Sequence, residues 1–245
     1  MGQLHGRTAL VTGANRGIGF AIAEAYVREG ARCILSGRNP AAVRDAAARL
    51  AGGEVIPLDL DLERPASIAA AIDAVAALGR LDIFVANGAL LGARAPMLQY
   101  PLDLWRQVFQ ANVHANLQLI QGLDPLLRAS DAGRVIFVTS GAARRLRPGG
   151  GSYAVSKAAL DALAGIYARE VASTRIRVNS VAPEPTRTEM RARVAPDEDP
   201  LTLKTPQDIA PLFVELALPD CAHHGERIDA NEWLANRRGS AAPAR

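Results

Sequence analysis

Aromatic residues make up only 4% of this 245-residue chain, so its interior has to be built from Ala, Val, Leu and Ile rather than from large rings. Cysteine is nearly as scarce. Cys33 and Cys221 stand far apart and fit no metal-ligand spacing, which excludes a disulfide-stapled scaffold and a zinc site. Both read as ordinary thiols in a reducing compartment. No run of eighteen apolar residues occurs. The opening Met1-Gly2-Gln3-Leu4-His5-Gly6 lacks a signal-peptide pattern, and Gly at position 6 breaks the myristoylation pattern. The expectation is a soluble cytoplasmic protein with no membrane partner. Charge of one sign is missing as well. Lys and Arg number 28 against 25 Asp and Glu, and a net +3 is too small to argue for nucleic acid.

What is present is a large apolar share, 49%, enough to fill a substantial core in one large α/β domain or two small ones. Residues 7–12 form a short apolar run that reads as a buried parallel strand. Gly13-Ala14-Asn15-Arg16-Gly17-Ile18-Gly19 follows at once, and residues 20–29 then run as a helix to Gly30. Strand, glycine turn and helix in this order make a pyrophosphate cradle. Glycines let the backbone approach the phosphates, and the helix N-terminus favours their charge. Gly13, Asn15, Arg16, Gly17, Ile18 and Gly19 are therefore candidate cofactor contacts. A second strand at 32–36 ends in Ser36-Gly37-Arg38. An acidic residue there would bind a ribose and repel a 2′-phosphate, and none is present. Arg38, with Arg16, offers cations instead, so NADP is favoured, with NAD as the alternative.

Further strands are read at 54–58, 81–85, 134–139, 175–181 and 226–230. Helices are read at 41–50, at 65–78, from 101 or 103 onward with Pro125 bending or ending it, from 151, and at 206–218 with Thr205 as N-cap. Residues 189–205 have the composition of a mobile flap, and 237–245 read as frayed. There is no repeat and no linker, so one domain is expected. His114 receives no chemical role, because a single helical His is more often packed or solvated.

Tyr153 and Lys157 lie in a Pro-free, Ala-rich helical stretch, and their four-residue spacing puts phenol and ammonium on one face. A free phenol, with a pKa of roughly 10, exchanges protons poorly at neutral pH. A fixed cation favours phenolate; bringing the pKa close to neutral needs about 4 kcal/mol of differential stabilisation. Ser140 stands at the C-terminal edge of the strand at 134–139, where open α/β sheets bind ligands. Arg144, Arg145 and Arg147 follow it, either as a solvated rim or as attractants for an acidic substrate.

With Thr12 in front, the spacing Thr-Gly-x-x-x-Gly-x-Gly resembles the classical short-chain dehydrogenase/reductase family, and the likeness extends over nearly the whole chain. The resemblance implies a three-layer, doubly wound Rossmann-type parallel sheet of about seven strands in a single domain. It implies hydride transfer between a nicotinamide and a carbonyl/alcohol pair of a small molecule. Tyr153 would be the acid/base, Ser140 would hold the substrate oxygen, and Lys157 would tune Tyr153 and bind the nicotinamide ribose. Asn112, forty-one residues before Tyr153, would hold a relay water at a kink in its helix. Asp59 and the Leu60 backbone would meet the adenine, with Asp61 a competing candidate or a simple turn cap. Asn87 would brace the central strand, and Pro183 and Thr188 would meet the nicotinamide. A homodimer or homotetramer through the helices near 103–128 and 152–173 is implied too.

Three departures from the family pattern stand out. Ala86 replaces a usual Asn, Gly88 and Ala89 are exchanged, and Glu184 stands where Gly is usual. Glu184 would be strained at a positive φ, and its carboxylate would favour an oxidised, cationic ring. These departures support a second reading, a non-catalytic NADP-binding sensor or scaffold on the same fold.

Overall fold

The computed structural model describes residues 2–50 and 52–240, with side chains as far as Arg237. Seven strands are present: β1 (Thr8–Val11), β2 (Arg32–Gly37), β3 (Val55–Asp59), β4 (Ile83–Ala86), β5 (Arg134–Val138), β6 (Arg177–Ala182) and β7 (Arg227–Asp229). They pair in parallel throughout, in the order β3-β2-β1-β4-β5-β6-β7. The order reverses direction between β1 and β4, which opens a crevice at the carboxyl ends of those strands. The helices are α1 (Gly17–Arg28), α2 (Pro40–Ala48), α3 (Pro65–Ala77), α4 (Leu102–Phe109), α5 (Ala115–Ala129), α6 (Ala142–Arg145), α7 (Gly151–Glu170), α8 (Glu189–Val194), α9 (Pro206–Ala217) and α10 (Ala230–Ser240).

Strand side chains alternate between two cores, and that alternation makes the three layers. Ala9, Val11, Ile83, Val85, Ile136 and Val138 pack with α1, α2 and α9. Leu10, Phe84, Val135 and Phe137 face the other way, onto α3, α5 and α7. Both faces are covered, so the strands read as unbroken apolar runs. Helix starts are fixed by local chemistry. Asn39 accepts from the amides of Ala41 and Ala42 at 3.0 and 3.2 Å ahead of α2. Thr205 and Asp208 form a reciprocal capping box at α9.

Three sequence expectations change. Pro125 does not end its helix, because α5 continues to Ala129. Residues 189–205 are not featureless; they hold α8 and a single 3₁₀ turn at Pro200–Thr202. The tail expected to fray from 237 is helical to Ser240, and residues 241–245 lie outside the described ones. Among the described residues, no helix is long and apolar enough to cross a membrane.

The end of the sheet away from the crevice is tied by a buried carboxylate. Asp82 accepts from the Thr8 amide at 2.8 Å, Ser130 Oγ at 2.6 Å and Arg80 Nε at 2.8 Å. Burial alone would raise its pKa, but the bonds from Arg80, Ser130 and Thr8 hold it below the usual carboxylate value. Asp82→Asn is expected to cost roughly 2–4 kcal/mol in urea unfolding at neutral pH. A lowered folded pKa means this stabilisation is complete above the ordinary carboxylate range and is lost as pH falls through it. The gap between wild type and Asp82→Asn should therefore narrow in acid; a gap constant down to pH 3 would contradict the assignment.

Candidate active site

The crevice begins at the turn after β1. Gly13 and Gly17 have φ values of 63° and 58°, a left-handed backbone that favours glycine. A Cβ on Gly13 would come within 2.7 Å of Gly88 Cα, and one on Gly19 would come within 2.6 Å of the Gly13 carbonyl oxygen. At Gly17 only Thr188 Cγ2 lies near, at 3.6 Å. The Arg16 side chain does not cap α1, and the first turn of that helix carries no acidic residue. Its leading amides are thus left for an anion from outside.

Thr12 and Asn87 hold this loop against β4. Thr12 Oγ1 accepts from the amides of Asn87 and Gly88 at 3.0 and 2.9 Å. Asn87 Nδ2 donates to the carbonyls of Thr12 and Gly13 at 2.8 and 3.1 Å. Gly88 is explained by the same packing, since a Cβ there would meet Leu62 Cδ1 at 2.7 Å. Asn15 reaches toward Gly37, where a Cβ would lie 3.2 Å from Asn15 Oδ1. Ile18 packs on the core under α1.

Arg16, in the glycine loop, and Arg38, after β2, are exposed and carry carboxylate partners, Glu189 and Glu63. Exposed pairs of this kind contribute little, so exchanging the carboxylate for a phosphate costs little. Asp59 is exposed at the end of β3, whereas the Leu60 amide is committed to the Gly37 carbonyl at 3.0 Å. Asp61 caps its own turn by accepting from the Glu63 amide at 3.0 Å.

The reactive end gathers at β5 and α7. Ser140 Oγ accepts from the Ala142 amide at 3.1 Å and lies close enough to the Tyr153 phenol to act on its ionisation. Lys157, 1% exposed, donates to the Val138 carbonyl at 2.6 Å, and its Nζ lies 5.9 Å from the centre of the Tyr153 ring. The phenol differs from the expectation. Burial raises the Tyr153 pKa, and only the nearby Ser140 hydroxyl works against it. Burial also draws Lys157 down to about 8, opposed by Asp161. Desolvation disfavours the charged form of both groups.

Asn112 lies in a π turn, Gln110–His114, which supplies the expected irregularity between α4 and α5. Its side chain is fully engaged. Oδ1 accepts from the Leu90 amide at 2.7 Å, and Nδ2 donates to the Leu90 carbonyl and to Ser156 Oγ, both at 2.9 Å. Ser156 in turn donates to the Tyr153 carbonyl at 2.8 Å. Asn116 Nδ2 donates to the Asn112 carbonyl at 2.8 Å, and its own Oδ1 is buried without a partner. His114 is exposed. Pro183 is buried at the end of β6, and Thr188 caps α8 by accepting from the Arg191 amide at 3.1 Å.

Sequence reading missed Thr12 as a hub, Ser156 as the link from Asn112 to Tyr153, and Tyr100. Tyr100 accepts from the Ala93 amide at 3.0 Å and bonds Ser152 Oγ at 2.6 Å, one residue before Tyr153. Only Ser156, one turn after Ser152 on the Tyr153 helix, left a spacing that could have been noticed.

A family profile described as short chain dehydrogenase matches residues 7–199. The chain belongs to the short-chain dehydrogenase family. Within it, the chain is 41% identical over 221 residues to the uncharacterized oxidoreductase YciK of Escherichia coli strain K12, covering 87% of this chain and 86% of the relative. It is 36% identical over 234 residues to the rhamnolipids biosynthesis 3-oxoacyl-[acyl-carrier-protein] reductase of Pseudomonas aeruginosa, covering 88% and 90%. A crystal structure of a short-chain dehydrogenase from Shigella flexneri 2a complexed with NADP superposes with a TM-score of 0.89 at 38% identity, over 94% of this chain and 98% of that one.

The depressed Lys157 makes a checkable statement about stability. Its folded pKa lies below its unfolded one, so between about pH 8 and pH 10 the unfolded chain binds more protons and Lys157 adds stability as pH rises. Wild type should gain on Lys157→Met across that window in thermal or urea unfolding, by an amount on the order of 1–3 kcal/mol. Parallel curves for the two proteins would contradict the burial argument.

Proposed function

We propose that this short-chain dehydrogenase interconverts a carbonyl and an alcohol of a small molecule with NADP(H), using Tyr153 as the acid/base. The observation that carries the reading is the closeness of Ser140 to the Tyr153 phenol, with the buried Lys157 amine 5.9 Å from the centre of the phenol ring. That group stands at the carboxyl edge of the sheet, where the glycine loop also opens. The residues present fit a dinucleotide. Gly13, Asn15, Arg16, Gly17, Ile18, Gly19 and the leading amides of α1 would hold its pyrophosphate. Arg16 and Arg38 would take the 2′-phosphate, which favours NADP over NAD. Asp59 and the Leu60 backbone would meet the adenine, Asn87 would line the middle, and Pro183 and Thr188 would meet the nicotinamide. Tyr153 and Lys157 would border the nicotinamide ribose.

When bound, the nicotinamide supplies or accepts the hydride. Tyr153 gives its proton to the carbonyl oxygen, and Ser140 donates to the same oxygen as negative charge develops there. A phenol whose pKa is raised by burial stays protonated at neutral pH, which suits carbonyl reduction. Lys157 returns the proton. The Asn112 carbonyl and the unpartnered Asn116 Oδ1 would seat the relay water, because the Asn112 side chain is already occupied. Leu117, Val155 and Ile166 are 44%, 36% and 56% exposed on α5 and α7, which supports self-association through those helices into a dimer or tetramer.

Tyr153→Phe should abolish NADPH oxidation with a panel of ketones and aldehydes, at least a hundredfold, while NADPH affinity by fluorescence stays within about threefold. Retained turnover in that variant removes the Tyr153 role. A wild type that binds NADPH but reduces nothing favours the sensor or scaffold reading, for which Ala86 and Glu184 speak. Arg38→Ala should weaken NADPH about tenfold and leave NADH unchanged, read by the same titration. An equal loss for both cofactors would remove Arg38 from the 2′-phosphate site.

A further inference from the structure

The reaction leaves one charged pair at the site without a task. Glu184 has φ 58°, and among the described residues the only other non-glycine residue with a positive φ is Leu146, at 43°, beside Arg145. The Glu184 carboxylate accepts from Arg145 Nη1. Two strained positions thus flank a single ion pair, and backbone strain of this kind gathers where a side chain has to be aimed. The Glu184 side chain is 4% exposed and that of Arg145 is 43% exposed. The carboxylate is the hidden partner and the guanidinium the accessible one. Both lie over Gly141, where a Cβ would collide with Glu184 Oε1 and with both terminal nitrogens of Arg145. Gly141 follows Ser140, so the guanidinium lies over the residue next to the serine of the site.

Arg145 Nε and Nη2 donate to nothing among the described residues, which leaves donors unused in a side chain that is largely accessible. The surroundings are positive. Arg144 and Arg147 are exposed on either side, and Lys204 donates to the Pro185 carbonyl at 2.8 Å and feels the Glu184 charge. Asp208 and Asp229 also act on Lys204, so three carboxylates stand against four cations, and a substrate carboxylate would neutralise the surplus.

We infer that Arg145 is a specificity-determining residue, held in place by Glu184, that receives a carboxylate on the substrate a few bonds from the reacting carbonyl. The substrate class is then an oxo acid, reduced to the corresponding hydroxy acid, with its carboxylate unchanged by the reaction. Glu184 acts through Arg145 and is a positioning residue. With its charge spent on Arg145, it is not free to stabilise an oxidised nicotinamide. The inference rests on the carbonyl-reduction reading of Ser140 and Tyr153.

The test compares 4-oxopentanoate and 5-oxohexanoate with their methyl esters in NADPH oxidation by wild type, Arg145→Met and Arg145→Lys. Wild type should prefer at least one acid over its ester by about tenfold or more in kcat/KM, mainly through KM, and added salt should reduce that preference. Arg145→Met should bring the ratio to within about twofold of unity, and Arg145→Lys should recover part of it. A wild type that reduces acids and esters alike, or an unchanged ratio in Arg145→Met, overturns the inference and leaves carbonyl reduction standing. If none of the four compounds is reduced, calorimetric titration of each into the protein with NADP decides the matter. Acid binding that Arg145→Met weakens about tenfold or more keeps the inference. Acids that fail to bind, or that bind both proteins alike, overturn it.

Discussion

The clasp between Thr12 and Asn87 is the contact on which the crevice depends. At the point where strand order reverses, no helix fills the gap between the ends of β1 and β4, and something must hold the two loops at a fixed spacing. One threonine hydroxyl accepts two amides from the β4 side, and one asparagine amide donates to two carbonyls from the β1 side. Four buried or half-buried polar groups are satisfied at once, which keeps the glycine loop from collapsing onto β4. Gly13 and Gly88 face each other across the same gap with no room for a Cβ on Gly13. The exchanged Gly88 and Ala89 are therefore a packing solution in this chain, with the small residue placed where Leu62 presses in.

Around that clasp, the site is an exercise in desolvation. Lys157 loses water and has one carbonyl in compensation, so its pKa falls. Tyr153 loses water and has Ser140, so its pKa rises less than burial alone would make it. Tyr153, Lys157 and Ser140 are fixed by α7 and the end of β5, both anchored in the apolar core through Leu160, Val135 and Phe137.

Much of this was legible in the order of residues. Strands buried on both faces leave continuous apolar runs, and the glycine turn at 13–19 follows from the tight bend it has to make. The four-residue step from Tyr153 to Lys157 follows from helix geometry alone. What could not be read depends on tertiary burial or on distant pairing. The direction of the Tyr153 shift is set by how much water the fold removes, which spacing does not encode. Arg145 and Glu184 are thirty-nine positions apart, and only the left-handed backbone at 184 aims one at the other. The tolerance of α5 for Pro125 is likewise a matter of packing, because Leu123 and Leu127 on either side hold the helix to the core.

Arg16, in the glycine turn after β1, is bonded to Glu189, the first residue of α8. The two segments are 173 positions apart in the chain, and both partners are bathed in solvent. Dissolved ions loosen such a latch without touching the interior. The pairing of these two segments thus answers to the ionic medium, whereas Lys157 lies where the medium does not reach.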